Sequence, residues 1–190
     1  MLFRSESSRF KFLLHDVVEP IKIKVDRIWH LACPASTFNY QNDPIKTSLT
    51  NFMGTLNMLE LAKELKIKKY IYASSSSVYG GNKSLPFSVK DRVDNPISLY
   101  AASKKSTELI AEYYSHLYKI NSIGLRFFTV YGPWGRPDMA TFIFTKNIIN
   151  RKPINIFNYG KMKRDFTYVD DIISGIYGAI NFKKIGRAHV

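Results

Sequence analysis

Apolar positions along this chain fall into two alternating periods. Residues 10–18 open as a strand-like apolar run that ends in His15-Asp16-Val17. Residues 25–33, Val-Asp-Arg-Ile-Trp-His-Leu-Ala-Cys, form a second strand candidate, 66–74 a third, 120–128 a fourth, and 154–157 a short fifth. Between them the period lengthens. The run 44–65 carries Ile45, Leu49, Phe52, Met53, Leu56, Leu59 and Leu61 at helical spacing. A long helix is expected over 96–118, with Leu109, Ile110 and Tyr113 on its apolar side, and others over 139–150 and 170–180. Gly175 and Gly178 weaken the propensity of the last one. Gly132 to Pro137 reads as a loop. Strand alternating with helix argues for an α/β fold, a parallel sheet with crossover helices.

At 190 residues the chain is long enough for one domain with a sizeable core. No apolar run reaches transmembrane length, and Arg4, Glu6, Arg9 and Lys11 interrupt any signal-peptide core, so no membrane association is expected. The single cysteine, Cys33, excludes an internal disulfide and fits a reducing cytoplasm. We read it as a small packed residue. Lysine and arginine number 28 against 15 acidic residues, a net charge of +13. That balance invites a nucleic-acid reading. The basic residues are spread out, however, with only short clusters such as Lys161-Met162-Lys163-Arg164, and no zinc-ligand or RNA-binding signature accompanies them. Neither a nucleic-acid partner nor a metal is expected. His15, His116 and His189 show no partner pattern and read as surface or core residues; His30 reads as a packed strand residue.

The chemistry concentrates between Tyr72 and Lys104. Ile-Tyr-Ala-Ser-Ser-Ser-Ser-Val-Tyr-Gly, residues 71–80, ends a strand in hydroxyls, and Tyr100-Ala-Ala-Ser-Lys104 follows on the next helix. Tyr100 and Lys104, four apart, share one helix face. An ammonium beside a phenol favours the phenolate and pulls down a pKa that starts near ~10. Ligands of α/β folds sit at strand ends, so serine hydroxyls and a Tyr/Lys pair can meet over one substrate.

These runs, with Val78-Tyr79-Gly80 at their spacing from Tyr100, resemble the extended short-chain dehydrogenase/reductase family, the nucleotide-sugar epimerases and decarboxylases. The resemblance covers Phe10 to about Asn181. It implies a Rossmann-like doubly wound parallel sheet over 6–135 and the start of a small substrate domain over 136–184. It implies NAD as cofactor, a UDP-sugar as substrate and a homodimer in the full-length parent, formed through the helices over 44–65 and 96–118. By resemblance, Tyr100 takes the proton of the sugar 4-hydroxyl with Lys104 assisting, and Ser75 hydrogen-bonds that oxygen. Asp16 and Val17 lie at the adenine side of the cofactor. Leu31 and Ala32, in His30-Leu31-Ala32, run along it; Asn51, in Asn-Phe-Met-Gly-Thr, braces it; Phe127 closes over the nicotinamide. Arg164, in Arg-Asp-Phe, clamps the substrate pyrophosphate, a task that suits a planar guanidinium. Ser76, Ser77 and Thr129 are the candidates for holding the sugar carboxylate.

From about Lys66 the likeness is to UDP-glucuronate 4-epimerases, which interconvert UDP-glucuronate and UDP-galacturonate through a 4-keto intermediate. The long runs 73–80, 125–140 and 160–171 carry it. Before about Lys63 the runs 15–20, 28–36 and 51–59 look like UDP-glucuronate decarboxylases, which form UDP-xylose. The decarboxylases carry a glutamate where this chain has Ser77, so the catalytic half favours epimerisation. Nothing before Phe10 resembles the family's opening βαβ with its glycine-rich phosphate turn, and no Gly-x-x-Gly-x-x-Gly run occurs elsewhere. Residues 1–5 and 185–190 read as foreign, adapter-like ends. The isolated chain is therefore expected to be inactive.

Overall fold

The computed structural model describes residues 9–182 and the backbone of residues 186–189; residues 1–8, with the 1–5 run named above, and residues 183–185 and 190 lie outside the described residues. Four parallel strands make the main sheet: β1 (Ile28–His30), β2 (Lys69–Ser75), β3 (Asn121–Phe127) and β6 (Gly186–His189), in the order β1-β2-β3-β6. β2 and β3 run in register from Lys69↔Asn121 to Ser75↔Phe127, which brings the two strand ends out side by side. The alternation along β2 explains both covered faces. Tyr70 and Tyr72 point to one side, where they pack with Leu59, Leu61 and Ala62 of α2 (Pro44–Glu64) and Ala111 and Tyr114 of α3 (Leu99–Tyr118). Ile71 points to the other, with Ile123 and Leu125 of β3 and Ile172, Ile176 and Ala179 of α5 (Val169–Asn181). Helices on both faces of a parallel sheet make the doubly wound α/β arrangement that the alternating periods predict.

Local chemistry sets the helix limits. Asp43 caps α2 by accepting from the Lys46 amide at 3.1 Å, and Pro44 at the first position has no amide to leave unpaired. α3 begins at Leu99 rather than Pro96, because the Ser98 hydroxyl accepts from the Ala101 amide at 3.1 Å. It stops at Lys119, which takes a left-handed turn. This cap places Tyr100 in the first turn of the helix, beside the end of β2.

Two expected strands are absent. Residues 10–18 form no ladder: Phe12 is 67 % and Leu14 94 % exposed, and the segment passes along α2 instead. There the Val17 carbonyl accepts from Asn57 Nδ2 at 3.0 Å, and its side chain fills the space over Gly54, 2.9 Å from where a Cβ would stand. An apolar run without a ladder partner cannot be a strand. Residues 154–157 are likewise extended and unpaired, with Phe157 exposed. Two strands of three residues were too short to show a period: β4 (Thr129–Tyr131) and β5 (Phe166–Tyr168) pair in parallel as a separate small sheet. The short α1 (Thr37–Asn42) also went unanticipated; α4 (Ala140–Ile149) lies within the expected 139–150.

Candidate active site

β2 delivers three consecutive residues to the face of α3, each meeting a different group. The Ala73 carbonyl accepts from Lys104 Nζ at 2.8 Å. The Ser74 hydroxyl turns inward and donates to Glu108 Oε1 at 2.7 Å. Ser75 faces Tyr100, and its hydroxyl favours the phenolate over the phenol. Past Ser75 the chain winds into a single 3-10 turn, Ser76–Tyr79, capped by Ser75 Oγ. That oxygen accepts from the Ser77 amide at 3.2 Å and from the Ser77 hydroxyl at 2.9 Å.

The electrostatics of Tyr100 differ from the sequence expectation. Burial pushes its pKa up to about 12; the Ser75 hydrogen bond and the charge of Arg136 pull the other way without cancelling it. The expected lowering by Lys104 is overturned in this state. The ammonium is committed to the Ala73 carbonyl, and loss of water around the phenol dominates. Burial thus keeps Tyr100 protonated at neutral pH. His30, buried in β1, is held neutral: burial and the nearby Lys104 charge lower its pKa to about 4.

A cleft of about 930 Å³ opens over this strand end. Of the residues singled out in the sequence, Leu31, Ser75, Ser76, Tyr100, Lys104, Phe127 and Thr129 line it together. The others stand elsewhere. The Ala32 backbone lies by the His30 ring and works against the lowering of its pKa. Asp16 closes a turn by accepting from the Val18 amide at 3.1 Å, and Val17 lies on α2. Asn51 is buried; its amide donates to Ser103 Oγ at 3.0 Å, beside Lys104 in sequence, and its Oδ1 has no hydrogen-bond partner. Ser77 folds back on Ser75. Arg164 is exposed outside the cleft lining. No cluster of metal-ligating side chains occurs among the described residues, and no helix there is long and apolar enough to cross a membrane.

Sequence reasoning missed two groups. Arg136 lines the cleft, pairs with Asp138 (Nε to Oδ1 3.0 Å) and donates to the Ala35 carbonyl at 2.9 Å. Only its place in the Gly-Pro-Trp-Gly-Arg loop marked it. Glu108 and Arg126 lie behind Ser74; Glu108 was findable, being eight residues from Tyr100 on the same helix face.

Fold and cleft together define a Rossmann-like α/β protein that offers hydroxyl, phenol and ammonium at the carboxyl ends of parallel strands. The chain belongs to the NAD dependent epimerase/dehydratase family, whose model matches residues 13–189. It is 55 % identical over 166 residues to an uncharacterised protein of Methanocaldococcus jannaschii, covering 87 % of this chain and 51 % of that one. It is 51 % identical over 149 residues to a probable UDP-glucuronate 4-epimerase of Rhizobium meliloti, covering 78 % and 44 %. Among solved structures, the UDP-glucuronic acid 4-epimerase of Bacillus cereus, in complex with UDP-glucuronic acid and NAD, superposes with a TM-score of 0.86 at 36 % identity, over 97 % of this chain and 60 % of that one. The chain thus spans about half the length of the curated relatives it matches.

Proposed function

We propose that this chain is the catalytic part of an NAD-dependent epimerase that interconverts UDP-glucuronate and UDP-galacturonate at C4. The observation that carries the reading is the Ser75–Tyr100 hydroxyl pair, with Lys104 one turn along, at the floor of one cleft. The donor set suits the nicotinamide end of a dinucleotide: phenol, ammonium and serine hydroxyl beside apolar Leu31 and Phe127. The pyrophosphate end needs backbone amides at a glycine-rich turn, and the 190-residue sequence has no such run. When bound, NAD supplies the acceptor for the C4 hydride and the means of returning it to the other face. Tyr100 accepts the proton of the 4-hydroxyl and later gives it back. Ser75 holds the reacting oxygen, and Lys104 offsets the charge of the phenolate. The 4-keto sugar is a β-keto acid that loses carbon dioxide if its carboxylate stands in line. Ser76 and Thr129 in the cleft are assigned to restrain it, with Ser77 acting through Ser75. Asp16 and Val17 are assigned to the adenine side, Leu31 and Ala32 to the length of the cofactor, Asn51 to bracing the cofactor region, and Arg164 to the substrate pyrophosphate.

Two wider readings go with this one. The exposed apolar side chains Ile45, Leu49 and Phe52 of α2 and Leu99, Leu109 and Tyr113 of α3 suit pairing with a second copy in the full-length protein. The lone Cys33 suits the cytoplasm.

The test uses a full-length protein in which these residues replace the matching segment of the Rhizobium meliloti relative, supplied with UDP-glucuronate and NAD⁺. UDP-galacturonate is the expected product, and Tyr100→Phe should cut turnover by about 10²–10⁴-fold with UDP binding retained. UDP-xylose as the main product would move the reading to decarboxylation; near-normal turnover by the phenylalanine variant would remove Tyr100 from its role.

A further inference from the structure

Behind the serine strand end lies a chain of polar groups that neither the proton transfer nor the substrate contacts use. Glu108 is 1 % and Arg126 0 % exposed. Arg126 stands on β3 directly opposite Ser74 in the sheet register. Its Nε donates to Glu108 Oε1 at 2.8 Å and its Nη2 to Oε2 at 2.9 Å, a two-point ion pair. The remaining arm, Nη1, donates to Tyr79 Oη at 2.9 Å, and the guanidinium carbon lies 4.9 Å from the centre of the Tyr79 ring. Tyr79 Oη in turn donates to the Ser88 carbonyl at 3.1 Å. At its other end the chain reaches Ser74, whose hydroxyl donates to Glu108. The 3-10 turn that carries Ser76 and Ser77 is therefore gripped at both ends: through Ser74 before it and through Tyr79 at its close. Gly80 locks the exit. It sits at φ 56°, and a Cβ there would stand 2.1 Å from the Asn95 carbonyl oxygen.

We propose that the Ser74–Glu108–Arg126–Tyr79 chain is a positioning device, which holds Ser75 against Tyr100 and fixes the turn that presents Ser76 to the cleft. The proposal deepens the reading of the site given above and rests on it for the reaction. Three observations favour a positioning role over plain stabilisation. A buried ion pair adds little net stability, since well-packed apolar residues of similar size do as well or better. What such a pair adds is direction: each of the three guanidinium nitrogens of Arg126 donates to a partner at 2.8–2.9 Å. The links also converge on residues 74–79 rather than on the apolar core. Finally, Glu108 completes a series with Tyr100 and Lys104, four and eight residues apart on α3, so that phenol, ammonium and carboxylate meet three consecutive residues of β2. One helix face sets both the acid/base pair and the frame that faces it.

The experiment compares Ser74→Ala with Ser74→Thr, which keeps the hydroxyl, in the full-length protein described above. Expected is a fall in kcat on the order of tenfold or more for Ser74→Ala, with KM for UDP-glucuronate within about twofold, the melting temperature held, and recovery of kcat in Ser74→Thr. Unchanged kcat in Ser74→Ala, or a loss that simply follows the melting temperature, overturns the proposal. The double variant Glu108→Met with Arg126→Leu, which replaces the pair by apolar packing, should fold and lose kcat in the same way; full activity in a folded double variant also overturns it. A substrate-free measurement separates failure of the proposal from failure of the reaction reading. In the 190-residue chain, the Ser77 amide bonded to Ser75 Oγ should exchange its hydrogen faster in Ser74→Ala than in the unmodified protein, whatever the substrate proves to be. Equal exchange overturns the positioning role, whereas faster exchange with no turnover of UDP-glucuronate by the unmodified full-length protein overturns only the substrate.

Discussion

The end of β2 with α3 and β3, and the region of β4, α4 and β5, invert the usual partition of residues. In the first, three charged side chains are sealed from water: Lys104, Glu108 and Arg126 are 2 %, 1 % and 0 % exposed. In the second, α4 buries no residue, and Ile149, Phe157 and Tyr159 are 75 %, 74 % and 94 % exposed. Residue type does not decide burial in either place; partners do. The charges are inside because each finds a carbonyl, a carboxylate or a hydroxyl at hydrogen-bond distance. The apolar groups are outside because no surface among the described residues covers them. The buried polar network is thus held within the first region, while the region of β4, α4 and β5 is a thin layer of short elements.

The sharpest way to break this contrast is to remove one partner from the buried half. Arg126→Met leaves the Glu108 carboxylate in a dry site without the guanidinium that balances its charge. Loss of one member of a buried ion pair costs about 3–5 kcal/mol, and the cost should appear as a large drop in the urea midpoint at neutral pH. A loss below about 1 kcal/mol would mean that water reaches Glu108 and that the region is not the sealed one described. The apolar double variant should lose much less, since it strands no charge.

Acid probes the same half with a smaller effect. The pKa of His30 is lowered from 6.5 to about 4, chiefly by burial and then by the Lys104 charge. The unfolded chain therefore takes up a proton through the window from 6.5 down to about 4 that the folded chain refuses. The stability this represents is complete above 6.5 and is lost as pH falls, by about 3 kcal/mol in full. His30→Gln should remove that component. Urea midpoints measured from pH 7.5 to 4.5 in both proteins check it; parallel curves would show that His30 protonates in place.

The contrast also explains what could be read from the chain itself. The β2–α3 half was legible because its chemistry is local: Tyr100 and Lys104 share a helix face, and the serine run ends an apolar strand. Asn51 acts across elements through Ser103, and Arg126 through Glu108 and Tyr79, so spacing gave no sign of their contacts. Burial, which raises the Tyr100 pKa, is a property of the packed fold and is invisible to an argument from the neighbouring lysine. The 10–18 run has strand composition yet pairs with nothing, since a strand is defined by its neighbour. β4 and β5, three residues each, lie below the length at which a period can be seen.

The smallest effect belongs to the open half, and it tests the contrast from the other side. Phe157 is 74 % exposed and lies in an extended segment outside the sheets. Phe157→Ser removes a large apolar side chain, a change that costs about 3–5 kcal/mol when the phenyl group is buried and replaced by a small residue. At this position there is little packing to lose, so the change in folding stability should stay within about 0.5 kcal/mol. Solubility should rise, because one large apolar group leaves a surface that also exposes Ile156, Tyr159 and Met162. Paired denaturation curves on the 190-residue chain check the first outcome, and light scattering as a function of concentration checks the second. A destabilisation above about 1.5 kcal/mol would show that the phenyl ring is packed in solution and that the second half is as closed as the first. The same substitution in the full-length protein sharpens the test. If a further part of that protein covers this face, the cost of Phe157→Ser should grow there toward the buried value, and the difference between the two settings measures how much of the cover is supplied from outside these residues.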